Sequence, residues 1–159
     1  DEGVRTVRDQ VDGDIAPGSA SRLVIFDDDP PPGLSVQDLT VVEGAPAQVN
    51  IVLSAASDLP VEVLLTAAAG TPTSSGTAAT AGEACAGTVD FLSVSRRVTV
   101  PAGKTTASIE ITTCSNVDFG TNPATLPGPG YSETFLVTAS APTHATLTKA
   151  VGVVTVRDP

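Results

Sequence analysis

The sequence has no tryptophan and no methionine, one tyrosine, four phenylalanines and one histidine in 159 residues. Aromatics make up 3% and apolar residues 41%, so a core must be built from Val, Leu, Ile and Ala. Basic residues are scarce as well. Eight Lys and Arg stand against eighteen Asp and Glu, a net charge of -10 at pH 7. That balance excludes a nucleic-acid partner, because phosphates need a basic face. It also speaks against an anionic membrane surface. No apolar run approaches the roughly 18 residues of a bilayer span, so membrane insertion is not expected. No basic stretch followed by an apolar one marks a signal peptide. The opening Asp1-Glu2 is read as the start of an excised fragment. A lone His144, with no motif setting it beside a nucleophile, speaks against triad chemistry. It sits between Thr143 and Ala145 in an expected turn, where exposure is ordinary. Carboxylate-pair hydrolysis stays open on composition alone, yet such clefts are usually lined by aromatic platforms that this chain lacks. There is no glycine-rich phosphate loop at a strand–helix junction. The chain reads as a module rather than an enzyme.

Alternation is what the sequence does have. Disorder is the other reading of a chain with high net charge, 14 Gly and 13 Pro. The apolar residues, however, fall in short period-two runs that a disordered chain has no need to keep. Val49, Ile51 and Leu53 share one face, as do Val61, Val63 and Leu65 after the Asp58-Leu59-Pro60 turn. Val98 with Val100, Ile109 with Ile111, Phe135 with Val137, and Val154 with Val156 repeat the pattern. The runs are rich in β-branched residues and bounded by Gly, Pro, Asp or Ser. They predict seven strands, near 34–42, 47–54, 60–68, 92–100, 105–114, 132–140 and 147–157. None reads as a three-turn helix. The expected fold is all-β, an immunoglobulin-like two-sheet β-sandwich of about seven strands. Two long loops are expected, 69–88 and 115–131, each either functional or mobile filler.

Residues 1–33 differ from the rest. Leu23-Val24-Ile25-Phe26 leads into Asp27-Asp28-Asp29 and then Pro30-Pro31-Pro32-Gly33: a strand, an acidic cluster and a stiff linker. Glu2 precedes Asp27 by 25 residues, and Glu133 precedes Asp158 by the same interval. Residues 1–29 are therefore read as the terminal strands of a preceding repeat. A short helix is the other reading, since Val4, Val7, Val11 and Ile15 keep helical spacing.

Segment 34–159 resembles a Calx-β domain, the calcium-binding sandwich module of sodium–calcium exchangers, integrin β4 and many bacterial surface proteins. The matching pieces lie in order. Thr40-Val41-Val42-Glu43-Gly44 resembles the family's opening strand and its Glu-Gly. Val49–Ser54 resembles the second strand, and Val89-Asp90-Phe91 stands where the family places Asp-Tyr. Val98–Lys104 and Ser108–Ile111 are similar to the following hairpin. Glu133-Thr134-Phe135 is similar to the family's Glu-Thr-Phe, and Val156-Arg157-Asp158 to its terminal strand. Ile25–Asp29 looks like that terminus in the repeat before.

The resemblance implies calcium as the ligand and Glu43, Asp90, Asp118 and Asp158 as its carboxylates, with Glu133 as a fifth. Calcium takes roughly six to eight oxygens, and a sandwich gathers distant loops at its ends. The chain departs from the family's acidic loops. Asn116 and Asp118 precede prolines and glycines, and Asp158 stands alone between Arg157 and Pro159. Fewer acids imply a weak or incomplete site. Asp27–Asp29 has two readings, ligands of the preceding repeat's site or added ligands at the junction to the next domain, and the first is favoured.

Cys85 and Cys114 are the only two cysteines. Two thiols without His or further Cys cannot fill a tetrahedral metal site, and His144 is the single candidate base for a catalytic one. A disulfide is the simpler reading. It closes a loop of about 30 residues, contributes on the order of 3–4 kcal/mol, and implies an oxidising, extracellular or cell-surface location. Two functions follow. One is a calcium-rigidified structural or adhesion repeat whose partners are neighbouring repeats of the same chain. The other is a carbohydrate- or protein-binding accessory module of a secreted enzyme. Exposed strand edges also leave room for a partner strand or a strand-exchanged dimer.

Overall fold

The alternating runs form strands because every second side chain can then leave water together. The computed structural model describes residues 30–70, 77–115 and 132–157. The chain divides into two units, Asp1–Pro30 and Pro31–Pro159, and the description is of the second. Both readings of residues 1–29, repeat remnant and helix, lie outside the described residues.

Among the described residues there are twelve strands and no helix. They are β1 (Gly33–Val36), β2 (Leu39–Val42), β3 (Ala47–Leu53), β4 (Val61–Ala69), β5 (Thr77–Ala78) and β6 (Ala81–Gly82). The others are β7 (Phe91–Leu92), β8 (Val94–Val100), β9 (Thr106–Ile111), β10 (Ser132–Ser140), β11 (Thr146–Lys149) and β12 (Val151–Arg157). One sheet runs β11-β1-β3-β9 and the other β2-β12-β10-β4-β8, with β5 also pairing on β10. β6 and β7 form a small parallel ladder of their own. The residues assigned inward from their alternation are buried, from Val49, Ile51 and Leu53 through Phe135, Val137, Val154 and Val156. They form one aliphatic core around two phenylalanines, Phe91 and Phe135. The two rings stack with centroids 4.1 Å apart.

The sandwich is as expected, but the strand count is larger: the expected strand near 92–100 is divided into β7 and β8, and there are two further reasons. Segments 34–42 and 147–157, each expected as one strand, are split between the sheets. β1 and β11 pair in parallel in the first sheet, while β2 and β12 pair in parallel in the second. The two segments thus change sheets side by side. Asp38 fastens the crossing: its Oδ1 accepts the Val153 N–H at 2.8 Å and the Lys149 ammonium at 2.7 Å. The Lys149 hydrogen bond, and then the Val153 N–H, hold the Asp38 carboxyl below the usual carboxylate range. Gly152 permits the close approach, since a Cβ there would lie 2.7 Å from the Gln37 carbonyl oxygen. The second reason is that the expected loop 69–88 contains β5 and β6. β4 covers β10 at Phe135–Ser140, and β5 takes over the same edge at Glu133 and Thr134.

Candidate functional site

Strand register brings the candidate acids to one end of the sandwich. Val42 pairs with Arg157, and Arg157 pairs with Ser132, so the end of β2, the end of β12 and the start of β10 lie abreast. Glu43 extends that ladder by one bond, its N–H donating to the Arg157 carbonyl at 2.8 Å. The chain then reverses in a turn closed by Ala45 N–H donating to the Val42 carbonyl at 3.0 Å. The third turn position needs positive φ, and Gly44 supplies it at 77°. Gly44 also lies against Ser115, where a Cβ would come within 2.1 Å of the hydroxyl oxygen. The family-like Glu-Gly is thus a turn that reverses the chain at the end of β2.

Glu133 stands on β10 in phase with the inward-facing Phe135 and Val137, and it is half-buried. It pairs with Val156 on one side and Thr77 on the other. Asp90 reaches the same end through backbone bonds. Ala79 N–H donates to the Thr134 carbonyl at 2.8 Å, and Thr80 and Asp90 then clasp each other. Thr80 N–H donates to Asp90 Oδ2 at 2.6 Å, and Asp90 N–H donates to the Thr80 carbonyl at 2.9 Å. Asp90 is 2% exposed. A carboxylate that deep requires hydrogen-bond donors or a cation to offset its lost hydration. The Phe91–Phe135 stack couples the two acidic positions, because Asp90 directly precedes one ring and Glu133 comes two residues before the other.

Cys85 and Cys114 are joined, with Cα atoms 5.3 Å apart. Beside the bond, Cys114 N–H donates to the Asp90 carbonyl at 2.8 Å. The Thr113 hydroxyl donates to the Ala45 carbonyl at 2.7 Å. Residues 113–115 therefore contact both the Asp90 segment and the Glu43 turn.

Glu43, Asp90 and Glu133 are accordingly at one end. Asp118 and Asp158 lie outside the described residues, as does Asp27–Asp29. Among the described residues, no group of three or more His, Cys, Asp or Glu is arranged to hold a metal ion. The donor type suits a hard cation such as calcium, but the three described acids do not form a coordination shell by themselves. Sequence reasoning missed Thr80, Thr113 and Ser115. The first acts through its backbone N–H, which nearly every residue possesses, and so left no signal. His144 is at the far end of the second sheet, exposed, with Nδ1 3.1 Å from the Pro60 carbonyl.

No known protein-family model matches the sequence, and no curated protein matches it. Solved structures do. The apo-form Calx CBD1 domain superposes with a TM-score of 0.58 at 15% identity, over 80% of this chain and 97% of that one. The calcium binding domain CBD12 of CALX1.1 gives 0.56 at 16% identity, over 79% of this chain and 45% of that one. The Calx CBD2 domain gives 0.53 at 9% identity, over 79% of this chain and 85% of that one. At such identities the likeness is one of architecture. The sandwich therefore has the Calx-β fold to which its ordered motifs pointed.

Proposed function

We propose that this sandwich is a calcium-binding β-module serving as a structural or adhesion repeat of a larger extracellular or cell-surface protein. The observation that carries the reading is the placement of Glu43, Asp90 and Glu133 at one end of a sandwich shared with Calx calcium-binding domains. These three would hold the ion, with Asp118 and Asp158 as further carboxylates. Calcium supplies the positive charge that lets several carboxylates ionise close together. The chain's own part is to place Glu43 at the Gly44 turn, to hold Asp90 on the Thr80 N–H, and to bury Glu133 halfway beside Phe135. The disulfide supports an oxidising compartment. Neighbouring repeats of the same chain are the proposed partners, and the module binds rather than catalyses.

A melting experiment tests this. Saturating calcium should raise Tm by roughly 5–10 °C over EDTA, as expected for a ligand that binds only the folded state. Glu43→Gln should remove most of that shift. Asp90→Asn should do so too while keeping an acceptor for the Thr80 N–H. An unchanged Tm at millimolar calcium would sink the reading.

A further inference from the structure

The first and last described strands start and finish at opposite ends of the sandwich. At one end β1 is anchored. Gly33 N–H donates to the Ser54 hydroxyl at 2.8 Å, Ser54 N–H donates to the Gly33 carbonyl at 2.8 Å, and Thr146 N–H donates to the Pro32 carbonyl at 2.9 Å. At the other end β12 finishes at Arg157, abreast of Val42 and Ser132. Between these ends, segment 33–42 lies alongside segment 146–157 in both sheets, and both pairings are parallel. A pull on the first strand against a pull on the last therefore drives the two segments past each other along their length. In that geometry the ladder bonds share the load and fail together, whereas a ladder pulled from one end opens one bond at a time. Side chains staple the same seam. The Ser35 and Thr148 hydroxyl oxygens lie 2.8 Å apart, and the Thr148 hydroxyl donates to the Leu34 carbonyl at 3.0 Å. Asp38 accepts from both Val153 and Lys149 across it. The seam is also bent where the segments change sheets, with Gly152 packed against the Gln37 carbonyl. Sliding one segment along the other must undo that bend. The Cys85–Cys114 bond joins neither segment, so it does not carry the seam.

We propose that segments 33–42 and 146–157 form a shear-loaded mechanical clamp, which makes this domain a force-bearing link rather than a passive spacer. The inference deepens the reading of the module as a structural or adhesion repeat, and it needs no bound cation. Load enters along β1 and leaves along β12. Their antiparallel neighbours β3 and β10 are also loaded lengthwise, so the pull meets no ladder that it can peel. Resistance to force follows the unfolding rate rather than the equilibrium stability. A clamp of this kind slows unfolding under terminal load without requiring a high Tm. The disulfide limits the chain released: with the bond closed, the span of 29 residues between Cys85 and Cys114 stays withheld after the clamp fails.

The test is single-molecule force spectroscopy on the full chain in EDTA, at one pulling speed and in two geometries. In the first, handles are ligated to the two termini. In the second, one handle stays at the C-terminus and the other is attached through a bio-orthogonal side chain at the exposed Pro46, so that β2 is peeled from β12 starting at the Glu43 end. Events of this domain are recognised by their length, which grows by about 100 Å after reduction with dithiothreitol as the withheld residues are released. The expected result is an unfolding force at least about twofold higher for the terminal pull than for the peeling pull. Val41→Pro, which removes an N–H from the β2–β12 pair, should lower the terminal force. Val98→Ala on β8 should lower Tm and leave that force unchanged. Equal forces in the two geometries would overturn the clamp. So would a terminal force that falls in Val98→Ala and holds in Val41→Pro. The comparison of geometries on the parent chain decides the matter even where a variant does not fold. The calcium reading is decided separately by the melting experiment: a Tm that ignores calcium, in a chain that resists the terminal pull, would remove that reading and leave the clamp standing.

Discussion

Asp38 and Asp90 show how little an acid's residue type says about its work. Both are aspartates beside apolar runs, yet one is exposed and fastens a sheet crossing while the other is buried and clasps Thr80. Asp38 gives a pH prediction. Its folded pKa is lowered, first by the Lys149 hydrogen bond and then by the Val153 N–H. Its contribution is therefore complete above the ordinary aspartate value of about 4 and is lost as pH falls through the lower folded value. The pair is solvent-screened, with side chains 44% and 60% exposed, so the contribution is under about 1 kcal/mol. Asp38→Asn should cost that much at pH 7 in urea unfolding, and the difference from the parent chain should shrink as pH falls below the ordinary aspartate range. A difference that stays constant across this range would contradict the electrostatic account. Asp90 was legible because it sits in a motif. Asp38 was not, because its partners are a lysine and an N–H more than 110 residues away in sequence.

At the scale of elements, periodicity identified the strands and their buried faces, but not the places where a strand changes sheet. The hint was in the spacing. Leu34 and Val36 are two apart, then Leu39 comes three residues later, which puts the next run out of phase. That slip is what turning from one sheet to the other requires. β5 and β6 were invisible for a different reason: two residues of Thr, Ala or Gly carry no period. The outermost strands also carry a feature that alternation alone does not explain. Arg96 pairs opposite the buried Leu65 on the edge strand β8, in phase with Val98 but exposed, so a charge stands on an open edge of the sheet. Such placement discourages edge-to-edge pairing. Arg96→Val should therefore increase self-association in sedimentation velocity as concentration rises, while Arg97→Thr on the opposite side should not. Identical behaviour of the two variants would argue against this role for Arg96.

For the whole molecule, the net charge of -10 first serves only to exclude partners. The structure gives part of it a location, at the end where β2 and β12 finish and β10 begins. The Calx-β motifs were legible because a turn glycine, a buried Asp-Phe and a Glu-Thr-Phe strand leave fixed local patterns. The full ligand set was less so, because coordination depends on loop conformations that local patterning does not encode. Calorimetric titration of calcium into the intact oxidised chain tests the central claim most directly. The expected result is saturable binding that Glu43→Gln and Asp90→Asn each weaken by at least about tenfold, a loss of roughly 1.4 kcal/mol or more. Heats indistinguishable from dilution at millimolar calcium, or binding unchanged in both variants, would contradict a cation site at this end of the sandwich.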